Sequence, residues 1–114
     1  MNEKEVQTQI VDYLRMKGWM VAITSQKGLS FASPGLPDLI AVKEHRIKGT
    51  GPVLEVMGMV FITPRTLWIE VKGPRGKQRP AQIQFQQDLE AQGGEYLLAN
   101  SLDVVIDHLN RKGS

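Results

Sequence analysis

A chain of 114 residues with a formal net charge of +2 has room for one hydrophobic core, so we expect a single domain spanning residues 1–114. Its 41% hydrophobic and 23% charged residues are ordinary for a globular protein and exclude a disordered chain. Because cysteine is absent, disulfides and thiolate zinc sites are excluded, and any metal would need oxygen ligands.

The first third of the chain predicts a helix, a strand and a loop. Apolar residues from Val6 to Leu14 recur at the spacing of one helical face, which predicts a helix over residues 3–17. Residues 19–24 predict a short strand. Residues 25–37 are rich in Gly, Ser and Pro and predict a loop.

The middle of the chain predicts strands. Asp38–Val42 and Val53–Ile62 are apolar runs separated by the turn-forming segment RIKGTGP, which predicts a hairpin. Residues 63–65, Thr-Pro-Arg, predict a break in the second run. Leu67–Val71 predicts a further strand that ends at Gly73-Pro74.

The last third predicts a helix, a strand and a helix. Pro80 is typical of a helix's first turn, and Gly93-Gly94 predicts that helix's end. Residues 95–99 predict a strand, and Ser101 begins a final helix. The sequence therefore predicts an α/β fold, with a mixed central sheet flanked by helices in the order αβββαβ, and an extended hairpin.

Three charged residues at the ends of apolar strands form the candidate site. Side chains alternate along a strand, so Glu70 and Lys72 lie on one face and Val71 on the other. Asp38 begins another strand, and if the two strands pair, Asp38 joins that face. Isolated Pro-Asp and Glu-x-Lys combinations are common on solvated surfaces, which is the alternative interpretation.

The chemistry of these groups favours a metal site over a structural role. Buried carboxylates and ammonium groups cost several kcal/mol each unless they are paired or bind metal. Two carboxylates suit a hard divalent cation such as Mg²⁺ or Mn²⁺, which also keeps water and phosphate ligands. Lys72 could position the attacking water in phosphodiester hydrolysis.

A cation-rich loop follows the candidate site. Arg75, Lys77 and Arg79 lie between Lys72 and the helix that begins at Pro80, and no acidic residue separates them. Cations beside a helix N-terminus favour contact with DNA phosphates, although a solvated loop would have the same composition.

The sequence resembles the VRR-NUC family, the virus-type replication-repair nucleases of the PD-(D/E)xK superfamily. The likeness covers roughly residues 3–109, and rests on GLPDLIAV at 35–42, LWIEVKGPRGKQ at 67–78, Glu5 on the first helix and Gln82 on the next helix. It implies a restriction-endonuclease-like core.

The resemblance also implies roles for individual residues. Asp38, Glu70 and the backbone carbonyl of Val71 would bind Mg²⁺ or Mn²⁺, Lys72 would be catalytic, and Glu5 would face the metal through water. Gln82 corresponds to the family's glutamine on the second helix. The residues alone favour Glu5 as a first-turn acid that complements the helix dipole over a metal ligand, and the resemblance brings the two roles to about even.

The resemblance implies a DNA-repair endonuclease that acts as a homodimer on branched DNA such as Holliday junctions. Residues 46–66, which include Met57 and Met59, are our candidate for the dimer contact. Two alternatives stay open: a catalytically silent DNA-binding module and a protein-interaction domain.

The expected location follows from the absence of targeting signals. The N-terminus MNEKEVQTQ lacks the apolar stretch of a signal peptide, and the longest apolar run contains Glu55 and is too short to span a membrane. We therefore expect no membrane partner, and a cytoplasmic, nucleoid-associated protein of a bacterial or phage-infected cell.

Overall fold

The computed structural model describes residues 1–24 and 33–111, so the predicted loop at 25–37 lies largely outside the described residues. The described residues form four helices and four strands. In chain order they are α1 (Glu3–Met16), β1 (Met20–Ile23), β2 (Leu39–Lys48), α2 (Pro52–Val56), β3 (Val60–Val71), α3 (Pro80–Ala91), β4 (Glu95–Ala99) and α4 (Leu102–Arg111). None of these helices is long and apolar enough to cross a membrane.

The four strands form a mixed sheet in the order β1-β2-β3-β4. The pairs β1–β2 and β2–β3 are antiparallel, and β3–β4 is parallel, because α3 provides the crossover that returns the chain to the same edge. The predicted α/β class, mixed sheet and αβββαβ order are confirmed, with the short α2 as an addition.

The hydrophobic core lies on one face of the sheet. Leu67, Ile69 and Val71 alternate along β3 and are fully buried with the apolar stripe of α1 and residues of α4. On the opposite face, α3 packs through Phe85, whose ring centroid lies 5.7 Å from that of Trp68. One face of the sheet is therefore buried in the hydrophobic core, and the other face is only partly covered by α3.

The predicted strand over Val53–Ile62 is wrong in its first half. Residues 52–56 form the short helix α2, and β3 begins at Val60. Pro52 fits a first helical turn, and Gly51 and Gly58, both at positive φ, bound the helix on either side. These local turn preferences outweigh the β propensity of the two valines, since no neighbouring strand is available to pair with them.

The predicted break at residues 63–65 is also wrong. Strand β3 runs without interruption from Val60 to Val71, and Pro64 lies opposite Glu44 of β2. Proline is tolerated there because β4 begins to pair only at Leu67, so the earlier part of β3 is an edge strand. Residues 60–62 and 67–71, which were predicted to lie in two separate strands, therefore belong to one long strand.

A charged cluster joins β3, β4 and α4 outside the core. The guanidinium of Arg65 donates two hydrogen bonds to the Glu95 carboxylate, from Nε at 3.0 Å and from Nη2 at 2.8 Å. His108 Nε2 lies 2.5 Å from the same carboxylate. Partial burial opposes ionisation, but the hydrogen bonds and charges of Arg65 and His108 outweigh it and lower the pKa of Glu95.

We predict that Glu95→Gln lowers the free energy of unfolding at neutral pH by about 1 to 3 kcal/mol, because it removes charge-assisted hydrogen bonds. A lowered pKa stabilises the fold above the ordinary value of 4.5, and this stabilisation is lost as pH falls through the folded-state pKa. Urea unfolding at neutral and acidic pH measures both effects. Glu90→Gln, an exposed change on α3, is the control. Equal stability of native and Glu95→Gln proteins at neutral pH would contradict the prediction.

Candidate active site

The register of the β2–β3 hairpin brings Asp38 to the end of β3. Leu39 lies opposite Ile69, so the next residues along the two strands, Asp38 and Glu70, are neighbours. The backbone N–H of Val71 donates a 2.8 Å hydrogen bond to Asp38 Oδ2. The strand pairing on which the predicted site depends is therefore present, and the first carboxylate is fixed by the backbone of the second strand.

Glu70 and Lys72 are buried together on the α3 face of the sheet. Glu70 is 2% exposed and Lys72 is 8% exposed, and Lys72 Nζ lies 3.8 Å from Glu70 Oε2. Among the described residues, Glu70 Oε1 has no hydrogen-bond partner. A buried carboxylate oxygen without a partner is costly, which indicates that this atom is placed for a ligand rather than for stability.

The pKa of Glu70 reflects this environment. Burial, followed by hydrogen bonding to Asp38 and the negative charge of Asp38, raises the pKa of Glu70 to about 9 and outweighs the opposing effect of Lys72. Glu70 therefore retains its proton at neutral pH when no metal is bound. A cation bound beside both carboxyl groups would offset the negative charge of Asp38 and favour ionisation of Glu70.

The three predicted residues line a cleft of about 620 Å³. The cleft lies between the end of the sheet, the start of α1 and the start of α3. Its lining residues are Glu3, Thr24, Ser33, Pro34, Gly35, Leu36, Asp38, Glu70, Lys72, Arg79, Ala81 and Gln82.

Contacts at the end of β1 and the start of α3 fix the approach to Asp38. The buried Thr24 donates from its backbone N–H to the Asp38 carbonyl at 2.7 Å, and its hydroxyl donates to the carbonyl of Pro37. Gly35 has φ of +82°, and a Cβ at this position would collide with the Ala81 carbonyl oxygen. Glycine is therefore required here for the chain to pass against α3.

The acid that α1 presents to the cleft is Glu3, whereas the prediction was Glu5. Glu5 is exposed and is not among the lining residues, and its backbone N–H donates to the side-chain oxygen of Asn2, which caps the helix. Glu3 lies beside the end of β3, where a Cβ on Gly73 would lie 3.6 Å from the Glu3 nitrogen. The sequence offered only a partial signal, since Glu3 lies three residues before Val6 and so shares its side of the helix, which does not by itself show that this side meets the cleft.

Gln82 lies at the cleft and also caps α3. Its side-chain oxygen accepts a 2.8 Å hydrogen bond from the backbone N–H of Arg79, which satisfies a donor that would otherwise be free at the helix start. Arg79 also lines the cleft. Arg75 and Lys77 are exposed in the preceding loop, outside the cleft lining.

The cationic loop is anchored by Gln78, which was not among the site residues predicted from the sequence. Gln78 Nε2 donates to Gln86 Oε1 at 2.9 Å and to the Tyr96 hydroxyl at 3.1 Å. These bonds attach the loop to α3 and to β4. The cations on either side of Gln78 are therefore held next to the cleft.

The donor set fits a hard divalent cation. Asp38 and Glu70 offer carboxylate oxygens, and Glu70 Oε1 is buried without a partner. In residues 1–24 and 33–111, no three Asp, Glu, His or Cys side chains are grouped to hold a metal. Two protein carboxylates with further ligands from water and substrate are typical of magnesium sites, whereas a structural zinc site needs four protein ligands.

Comparisons with known proteins give a match of folds. No protein-family model and no curated protein sequence matches the chain. A solved structure titled "VRR_NUC domain" superposes with a TM-score of 0.61 at 20% sequence identity, covering 96% of this chain and 94% of that chain. The chain has the VRR-NUC fold. The restriction-endonuclease-like architecture expected from the resemblance is thereby confirmed.

Within this VRR-NUC fold, the residues that carried the resemblance are at one end of the sheet. Asp38 and Lys72 line the cleft with Glu70, while Val71 is fully buried and uses its N–H to hold Asp38. The role of the Val71 carbonyl as a ligand stays a prediction.

We predict that metal-free protein loses stability as pH rises. Glu70 ionises near 4.5 when unfolded and near 9 when folded, so between these values the folded state retains a proton that unfolding releases. The free energy of unfolding should therefore decline across this window. Glu70→Gln, which cannot ionise, should remove the decline.

Urea titrations in chelator at a series of pH values measure this difference. The exposed change Glu44→Gln on β2 serves as the control and should retain the native pH profile. Parallel profiles for the native protein and Glu70→Gln would show that Glu70 ionises normally in the fold.

Proposed function

We propose that this chain is a Mg²⁺- or Mn²⁺-dependent deoxyribonuclease of the VRR-NUC family, acting on branched DNA such as Holliday junctions. The observation that carries the proposal is the pair of neighbouring carboxyl groups, half-buried Asp38 and buried Glu70, beside the Lys72 ammonium at one cleft. The fold match and the residue resemblance support the same assignment.

The proposed metal ligands are Asp38, Glu70 and the Val71 carbonyl. When bound, the divalent cation would supply the positive charge that activates water and neutralises the scissile phosphate. Asp38 is held for this role by the Val71 N–H, at 2.8 Å. The acid on α1 that would contact the metal through water is Glu3, because it lines the cleft.

Lys72 is the proposed catalytic cation. Its ammonium lies 3.8 Å from Glu70 Oε2 and is shielded from bulk water, so its charge acts through a medium of low dielectric constant. It would hold the attacking water and offset the negative charge that develops on the phosphate oxygens. This assignment requires no covalent intermediate with the enzyme.

The loop of Arg75, Lys77 and Arg79 is the proposed contact for DNA phosphates. Arg79 lies at the cleft, and the other two are exposed beside it. Anchoring through Gln78 limits the conformational entropy that the loop loses on binding DNA. DNA would then be held with a phosphate at Asp38 and Glu70.

We predict that Asp38→Asn, Glu70→Gln and Lys72→Met each lower the cleavage rate by at least about 100-fold while leaving the fold intact. Cleavage of linear, flapped and four-way-junction DNA is measured with Mg²⁺, with Mn²⁺ and with chelator. Faster cleavage of the junction than of the linear duplex would support the proposed selectivity for branched DNA. Calorimetry should show loss of Mg²⁺ binding in Asp38→Asn and Glu70→Gln only.

The matched controls are Glu44→Gln and Lys48→Met, which neutralise an exposed acid and an exposed cation elsewhere on the same hairpin. Both should cleave at the native rate. Native protein that binds DNA but cleaves no substrate with either metal would establish the silent DNA-binding module instead. Near-native cleavage by any one of the three site variants would remove that residue from the mechanism.

We predict that changing Arg75, Lys77 and Arg79 together to alanine weakens binding to every DNA sequence. The slope of log affinity against log salt concentration should fall by about two to three, since each lost phosphate contact contributes about 0.9. The control changes Lys17, Arg46 and Lys48 to alanine, which alters net charge equally but away from the cleft. An equal loss in both variants would point to net charge alone as the cause.

A further inference from the structure

A second recess, which we call the α1 recess, lies beside the cleft of the candidate site. It has a volume of about 420 Å³ and is lined by Glu3, Lys4, Gln7 and Asp38. Glu3 and Asp38 also line the cleft, so the two recesses meet at these side chains. Lys4 and Gln7 line the α1 recess but not the cleft. Asp38 is therefore open to a ligand from two directions.

The two recesses reach Asp38 from opposite faces of the sheet. Helix α1 packs its apolar stripe against the core face, whereas α3 covers the other face through Phe85. The cleft takes Arg79 and other residues from the start of α3, but no described residue of α3 lines the α1 recess. A DNA strand that enters past Arg79 and crosses Asp38 would therefore leave along α1.

Lys4 and Gln7 are placed to act together. They are three residues apart on α1 and so are neighbours on one side of the helix. Lys4 is exposed and Gln7 is half-buried. The ion pairs among the described residues do not include Lys4, so its ammonium is available to a ligand. The recess thus offers one ammonium and one amide from adjacent side chains.

The charges around the α1 recess decide where an anion could bind in it. Glu3 and Asp38 form the wall that is shared with the cleft, and their carboxylates repel a phosphate that approaches them directly. A phosphate must therefore lie at the side of Lys4 and Gln7. An ammonium and an amide N–H both donate hydrogen bonds, and charge-assisted bonds to phosphate oxygens are among the stronger ones.

The favourable surface ends at Gln7. A third recess of about 200 Å³ continues along α1 from Gln7 and is lined by Asp12 and Arg15, among others. One acid and one cation leave it without net positive charge, and Arg15 Nη2 already donates to the Val21 carbonyl at 3.2 Å. This side of the site therefore offers a single phosphate contact.

We propose that Lys4 and Gln7 hold the DNA backbone phosphate that follows the one at Asp38 and Glu70. The inference rests on the proposed function, since the phosphate that is cut defines its neighbour. The cationic loop holds the strand on the α3 side, and Lys4 with Gln7 holds it on the α1 side. Contacts on both sides fix the orientation of the reacting phosphate, and correct orientation lowers the barrier to reaction.

DNA binding by the full chain tests the contribution of Lys4. Affinity for four-way-junction DNA is measured with Mg²⁺ in the Lys72→Met background, so that the DNA stays uncut. Adding Lys4→Gln should raise Kd by about 3- to 10-fold and lower the slope of log affinity against log salt by about 0.9. Lys17→Gln, an exposed change at the other end of α1 and outside the three recesses, should alter neither quantity.

A matched pair of glutamine variants tests Gln7. Gln7→Glu should weaken binding, because a carboxylate at this position repels the phosphate. Gln9→Glu, a change at an equally half-buried position of α1 outside the recesses, adds the same charge and should bind as the parent does. Equal weakening by both variants would show that net charge, and not a contact at Gln7, is the cause.

Substrate chemistry locates the contact on the DNA. A single uncharged methylphosphonate is placed at successive positions of the strand, and cleavage by the native protein identifies the phosphate that is cut. The substitution next to that phosphate should weaken binding when Lys4 is present and have no effect with Lys4→Gln, because one contact can be lost only once.

The outcomes separate this inference from the nuclease activity. Cleavage by the native protein together with identical methylphosphonate profiles for Lys4 and Lys4→Gln would overturn the inference alone. Binding without cleavage would overturn the nuclease assignment, while a position silenced only by Lys4→Gln would still establish the Lys4 contact. A protein that binds no DNA would overturn both.

Discussion

The antiparallel register of β2 and β3 is the constraint on which the rest of the structure depends. It places Asp38 beside Glu70 at the end of β3. A slip of one residue would move every side chain of one strand to the opposite face and separate the two carboxyl groups. Burial of Leu39 and Ile69 on one face, and the hydrogen bond from Val71 to Asp38, oppose such a slip.

The buried charged groups of the candidate site lower the stability of the fold, and other interactions must offset this cost. Glu70 is buried with an unpartnered oxygen and an acidic neighbour, and Lys72 at 3.8 Å compensates only in part. The opposite face of the same strand supplies the compensation, because Leu67, Ile69 and Val71 are fully buried against α1 and α4. Strand β3 therefore holds the charged groups in place with the packing energy of its apolar face.

The two ends of the hairpin have different chemistry because different partners cover them. At the inner end, helices and neighbouring strands enclose the cleft, and the anchored loop of Gln78 brings cations to its rim. At the outer end, eight apolar side chains between Ile47 and Ile62 are each more than a third exposed. The β2–β3 hairpin thus connects a polar recess to an apolar surface about 30 Å away.

The sequence by itself determined the order of elements outside residues 52–66 and the shared face of Glu70 and Lys72, because helical and strand periodicities are local properties of the chain. Only the tertiary structure decided that Glu3 and not Glu5 reaches the cleft, because that depends on how α1 lies against the end of β3. It also decided that β3 passes through Pro64, since an edge position tolerates a missing N–H and that position is set by where β4 begins to pair. Local patterns fix which residues share a face, whereas the packing of elements fixes which faces meet.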